Sequence, residues 1–315
     1  MRHLVIGLVV LAVVFGCGKK PPSVAEQPPP PQPLPDDVNK AWKDAGATTG
    51  WVLVTEHGLI ATLGGPRSGA VPSFNFAELK DGLVATLPSP PTAFALLLYG
   101  DKIADDELRQ LAHLSNLSIL DLTNSRVTDA GLKHLAPLSN LAVLDLRYTK
   151  VTDAGLKELG GLGALTLLGL GNTKVTDAGL KDLAPLTNLT TLSLNSTGVT
   201  DAGLKDLASH EKLTALSLCR TTVTGVGLKH LASVTNISRL LLDSSSVTDD
   251  ELEYVGQLRT LTYLSLWGTK ITDGGLKNLY SLKNATAINI YSTKVTSRGT
   301  SELRRALPNC KVDGP

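Results

Sequence analysis

Leu138-Ser139-Asn140-Leu141-Ala142-Val143-Leu144-Asp145-Leu146-Arg147-Tyr148-Thr149-Lys150-Val151-Thr152-Asp153-Ala154-Gly155-Leu156-Lys157-Glu158-Leu159 reads as one strand followed by one short helix. Leu144 and Leu146 alternate with Asp145 and Arg147, the two-residue period of a strand with one apolar face. Thr152 then has the chemistry of a helix N-cap, and Asp153 at the next position is favourable against the helix dipole. Val151 and Leu156 stand where a hydrophobic staple needs them. Asp153 and Lys157, four positions apart, predict a weak surface ion pair. Gly155 in the first helical turn predicts close packing against the next unit.

The same unit recurs along the chain. Val-Thr-Asp-Ala-Gly-Leu-Lys starts at Val127, Val151, Val175 and Val199, and weaker copies start at Ile103, Val223, Val247, Ile271 and Val295. The interval between successive starts is constant at twenty-four positions, with no insertion anywhere in the series. One such unit cannot bury its leucines alone, so neighbours must complete the core. Where the helix-start glycine is lost, Thr248-Asp249-Asp250-Glu251 supplies a capping box instead. The series Thr149, Thr173, Thr197, Thr221, Thr269 and Thr293, with Ser125 and Ser245, predicts a buried hydroxyl ladder bonded to loop backbone.

The pattern from Leu138 through Leu159 resembles the leucine-rich repeat, most closely its ribonuclease-inhibitor-like and cysteine-containing forms. The resemblance implies an α/β solenoid, an arc with a concave parallel β-sheet, convex short helices and about nine repeats over residues 90–305. Residues 37–89 are expected to form an N-terminal cap: a helix near Val38–Ala45, a hairpin of Trp51–Thr55 with Leu59–Leu63, and a degenerate half-repeat over 74–89. In that half-repeat Leu79, Asp81, Val84 and Leu87 stand one period ahead of Ile103, Asp105, Leu108 and Leu111. Residues 306–315 close the other end. There Glu302 to Leu307 predicts the last helix, Pro308 stops it, and Cys310-Lys311-Val312 predicts a closing strand.

The N-terminus reads as an address. Leu4 to Phe15 is an unbroken apolar run. It falls well short of the roughly 20 residues needed to span a bilayer and has the length of a signal-peptide core. Val14-Phe15-Gly16-Cys17 resembles the bacterial lipobox, with Phe15 departing from the usual smaller residue. The resemblance implies that residues 1–16 are removed and that Cys17 is acylated, so that the chain is exported and anchored to a bacterial membrane by lipid, on the periplasmic or cell-surface side. Residues 17–36 then form a lipidated tether with eight prolines. Proline favours an extended polyproline-II path, with a reach on the order of 50–60 Å at about 3.1 Å per residue.

Reactive motifs are few. The sequence contains no HExxH, GxSxG, P-loop or CxxC. His134 and His230 occupy one site four repeats apart, so at about 4.8 Å per strand they lie roughly 20 Å from each other and cannot share a metal. Cys219 and Cys310 are too distant for a disulfide on the same reasoning. The net charge of +1 gives no global field toward nucleic acid. Lys133, Lys157, Lys181, Lys205, Lys229 and Lys277 form a row that neighbouring aspartates are expected to cancel. These features predict a protein that is not an enzyme and takes no cofactor or metal.

Solenoids of this kind commonly bind through the concave sheet. Register places Ile119, Asp121, Thr123, then Val143, Asp145, Arg147 and their successors on that face. Of the nine Tyr and Trp residues, Tyr99, Tyr148, Tyr263, Trp267 and Tyr291 lie on or beside it. Aromatic residues dominate binding hot spots. The leading candidate patch is Arg239, Asp243, Tyr263, Trp267 and Tyr291; a second is Asp121, Asp145, Arg147 and Tyr148. The function expected is a membrane-anchored module binding a protein or peptide at the cell envelope. The alternatives are an aromatic carbohydrate platform, in which Tyr263, Trp267 and Tyr291 stack on sugars, and a ligand-free structural spacer.

Overall fold

A computed structural model describes residues 32–55, 60–63, 65–80 and 82–315. Cys17, most of the tether, Leu59 and Asp81 lie outside the described residues, and so do the readings that rest on them. The chain folds as a leucine-rich-repeat solenoid. It opens with helix α1 (Asp36–Asp44) and the strands β1 (Thr48–Val54), β2 (Ile60–Leu63) and β3 (Val71–Asn75). One strand per repeat follows: β4 (Phe94–Leu97), β5 (Leu117–Asp121), β6 (Val143–Asp145), β7 (Leu167–Gly169), β8 (Thr191–Ser193), β9 (Ala215–Ser217), β10 (Arg239–Leu241), β11 (Tyr263–Ser265) and β12 (Ala287–Asn289). Strand β13 (Lys311–Asp313) closes the sheet.

Among the described residues this is one sheet of thirteen strands, in the order β13 down to β3, then β1 and β2. From β3 onward neighbours are parallel, and β1 pairs antiparallel with both β2 and β3. The constant period sets the register directly, since Leu144 lies opposite Leu168 and Leu168 opposite Leu192. Leu144, Leu146, Leu156, Leu159, Leu162 and Leu165 are all fully buried, so one repeat contributes leucines from strand, helix and return loop to a continuous core. His210 stands in the slot of Leu138, Leu162 and Leu186; it is buried, and its Nε2 lies 3.1 Å from the Leu183 carbonyl oxygen.

The helix starts follow the local chemistry. Thr152 accepts a hydrogen bond from the Ala154 N–H at 3.3 Å, and Thr128 and Thr176 cap in the same way. In these repeats the helix is one α turn, such as Asp153–Leu156, that tightens into a 3₁₀ turn, here Lys157–Leu159. The expected ion pair between Asp153 and Lys157 is not formed. Asp153 instead accepts from the Thr176 N–H at 2.7 Å and from the Thr176 hydroxyl at 2.6 Å, both in the following repeat. Asp129 does the same to Thr152, and Asp273 to Thr296. Two directed, charge-assisted bonds outweigh a solvated contact to a flexible lysine. The glycine is explained by the same link, because a Cβ at Gly155 would run into Asp129 Oδ1. The close approach is thus to the preceding repeat, not the next.

The hydroxyl ladder forms at its threonines: Thr149, Thr173, Thr197, Thr221, Thr269 and Thr293 each donate to the carbonyl three positions earlier, at 2.6–2.7 Å. Ser125 and Ser245 do not make this bond, and Ser245 Oγ is buried without a partner. The capping box at Thr248 also forms, with Glu251 Oε2 accepting from the Thr248 N–H at 2.8 Å. Both ends are sealed. At the first, Trp42 from α1 stacks on Phe74 with ring centroids 4.3 Å apart, meets Phe94 edge-on, and donates from Nε1 to the Pro88 carbonyl at 2.9 Å. The strand of the half-repeat begins at Val71, ahead of the expected residue 74. At the other end the helix spans Ser297–Ala306, longer on its N-terminal side than Glu302 to Leu307 suggests, because Thr296 caps it.

Candidate functional site on the concave sheet

The concave face is not uniform. Val52 of the β1–β2 hairpin joins Ala95, Leu97, Ile119, Val143 and Leu167 in an apolar cluster separate from the leucine core, with Val54 and Val71 packed against it. The tip of β1 reaches further, because Val54 and Thr55 line a cleft of about 510 Å³ with Thr166, Thr190, Thr214, Ser238 and Thr262. The hairpin therefore leans over the first half of the face. Sequence register places Ile119, Val143 and Leu167 on this side of the sheet, but their relative exposures of 6%, 5% and 4% leave no surface for a ligand.

The second candidate patch divides. Asp145 is 1% exposed, and its carboxylate is held by the Arg147 guanidinium at 2.8 Å (Nε to Oδ1) and 2.5 Å (Nη2 to Oδ2). Asp121 Oδ1 accepts from the Thr123 N–H at 2.9 Å. Burial, and then the nearby Asp145 charge, raise the Asp121 carboxyl above the ordinary value of 3.8 against the bonds from Thr123. These two carboxylates belong to the internal electrostatics of the sheet. Tyr148 stands outside it, 57% exposed at a backbone φ of 60°.

The leading patch also separates, by strand end. Arg239 and Tyr263 sit at the entry ends of β10 and β11, where the guanidinium carbon lies 4.3 Å above the tyrosine ring centre. That contact occupies one face of Tyr263. Asp243 and Trp267 lie past the exit ends of the same strands. The Asp243 carboxylate accepts from the Ser265 hydroxyl and, at 3.1 Å, from the Trp267 N–H. Tyr291, half exposed, follows one repeat later, and its N–H donates to Asn289 Oδ1 at 3.1 Å.

What the structure joins instead is the exit end of each patch. Arg147 and Tyr148 from one, and Asp243 and Trp267 from the other, line a single groove of about 380 Å³. Its floor consists of the residues that leave each strand in the left-handed conformation: Asn172, Ser196, Arg220 and Ser244, at φ values of 53–58°. Arg220 belongs to neither candidate patch. Its signal in the sequence is weak: it occupies the position that holds Asn172 and Gly268 in other repeats.

Elsewhere the reactive groups are quiet. Burial pushes the Cys310 thiol up to about 11 and raises the Cys219 thiol as well, so neither is activated as a nucleophile. Among the described residues no group of three or more His, Cys, Asp or Glu side chains is placed to hold a metal ion. Among the same residues no helix is long and apolar enough to cross a membrane. The six-lysine row is exposed, and among the described residues none of these lysines is in an ion pair.

Comparison with known families agrees with the repeat architecture. A family model described as Leucine Rich repeat matches residues 113–136, 138–160, 186–208 and 257–279. No curated protein matches the sequence significantly. Similar solved structures include internalin C2 from Listeria monocytogenes, at 24% identity over 70% of this chain and 80% of that one, with a TM-score of 0.45. Another is the internalin inlF from the same organism, at 18% identity over 76% of this chain and 86% of that one, with a TM-score of 0.44.

Proposed function

We propose that this chain is a non-catalytic interaction module, exported and anchored to a bacterial membrane through Cys17, which binds a protein or peptide along the strand-exit side of its concave face. The observation that carries the reading is where the aromatic surface lies. Tyr148, Trp267 and Tyr291 are 57%, 40% and 50% exposed; of the other large apolar side chains described, only Tyr99, whose hydroxyl is held by Asn75, and Val226 are comparably exposed. Two of them bound the exit groove. Exposed aromatics beside guanidinium groups are the composition of protein-binding hot spots.

The carbohydrate platform is the weaker reading, because Arg239 covers a face of Tyr263 that a sugar would need. Envelope pull-downs with protein that starts at Gly18, beside a glycan array, separate the two. With a captured protein partner, Trp267→Ala should cost at least about 2 kcal/mol in affinity. Lys181→Ala on the convex side should change it by no more than a few tenths of a kcal/mol. Normal binding by both Trp267→Ala and Arg147→Ala removes this face from the interface. Anchoring has its own test, since mass spectrometry of the mature protein should find Cys17 acylated, and an unmodified Cys17 overturns that part.

A further inference from the structure

The exit groove has a length, two aromatic ends and an arginine between them whose side chain is unengaged, and together these specify a ligand. Tyr148 follows β6 and Trp267 follows β11, five strand steps apart, which at about 4.8 Å per step is roughly 24 Å. An extended peptide at about 3.3 Å per residue covers that distance in about seven residues. Both ends present exposed aromatic rings. Between them the other charged groups are already engaged. The Arg147 guanidinium is held by Asp145, and the Asp243 carboxylate accepts from Ser265 and the Trp267 N–H.

Arg220 is different. It is exposed, and among the described residues its side chain has neither an ion pair nor a hydrogen bond. It holds φ at 56°, a left-handed conformation that Gly268 meets freely one repeat beyond Ser244. A turn alone gives no reason for an arginine there.

We infer that the groove takes an extended, acidic peptide segment, whose carboxylate meets Arg220 and whose flanking apolar side chains meet Tyr148 and Trp267. This rests on the reading of the chain as a protein-binding module. Arg220 follows β9, three steps from Tyr148 and two from Trp267, or about four and three peptide residues. Because alternate side chains of an extended chain point to opposite faces, only even offsets meet the same groove. The ligand pattern is therefore an Asp or Glu with an apolar residue four positions to one side and two or four to the other.

The probe is a library of random linear decapeptides, displayed and panned against the full chain. Enriched sequences should carry that spacing. Arg220→Glu should weaken a selected peptide at least tenfold by fluorescence anisotropy, and a Lys-for-acid exchange in the peptide should restore binding to Arg220→Glu. Arg220→Gln, with an unchanged melting curve, guards against a folding defect. Enrichment without an acid, indifference to Arg220→Glu, or failure to enrich any peptide overturns the inference. If peptides bind and depend on Trp267 but not on Arg220, the interaction module stands and the acidic ligand falls. Binding of oligosaccharides alone removes both.

Discussion

The two halves of the concave sheet are built from the same repeat, yet on the strand-entry side one is an interior and the other a surface. Over β4 to β7 the inward-facing positions are Ala95, Leu97, Ile119, Val143 and Leu167, and Val52 of the chain's own hairpin packs on them. Over β8 to β11 the equivalent positions are Thr191, Ser193, Ala215, Ser217, Arg239 and Tyr263, and the hairpin supplies only the rim of a cleft. The backbone path makes no distinction between them; the side chains decide. A solenoid can thus use part of its concave side as a second core and keep the rest for a partner.

Substitutions in the two halves should diverge accordingly. Asp145→Asn leaves Arg147 without its counter-charge, and as Arg147 keeps some solvent contact the loss should be about 3 kcal/mol, the low end for a broken buried pair. Denaturant melts measure it, and a loss below about 1 kcal/mol, the value of an exposed pair, would mean that the covered half is wetter than described. Val52→Ala removes two buried methyl groups and should cost about 1.5–2 kcal/mol. Hydrogen exchange should localise that loss to β1, with β8 to β12 unchanged; a uniform response would erase the division between the halves.

Asp121→Asn sharpens the contrast through pH. The folded state raises the Asp121 pKa above 3.8, so ionisation of this group opposes folding. Its stabilising contribution is full below 3.8 and is lost as pH rises through the folded value. Asp121→Asn should therefore be more stable than wild type at neutral pH, with the advantage fading as pH falls toward 3.8, and a pH-independent difference would refute it. The smallest effect belongs to the open half. Trp267→Ala should alter stability by no more than about 0.5 kcal/mol, as for a surface residue, however strongly it affects binding.

The repeats are legible in the sequence because each rests on local chemistry written out again and again: the Leu144/Leu146 alternation, the Thr152 cap, the Val151 and Leu156 staple. The cover over the first half is not. Alternation tells that Ile119 and Val143 face away from the leucine core, but their partner Val52 lies far away in sequence and carries no periodic signal. The groove is half legible. Tyr148 and Trp267 stand out as aromatics on the right face, yet they fall in different patches, because strand register orders positions along a repeat and says little about which ends of neighbouring strands share a hollow. Arg220 escapes because a left-handed turn position is ordinarily read as structural.

The link from each aspartate to the following threonine also bears on how such an arc can lengthen or shorten. Removing residues 151–174 would bring Asp129 against Thr176 and Gly179, the same joint that it now makes with Thr152 and Gly155. Excision there leaves an intact seam. One seam is of another make: Gly225 replaces the aspartate, Glu251 replaces the following glycine, and a Cβ at Gly225 would fall on top of that of Glu251. Excising 223–246 would set Asp201 against Glu251, two carboxylates where one glycine is needed. Duplication and loss can therefore run freely over the middle of this chain, whereas the units starting at Val223 and Val247 must be gained or lost as a pair.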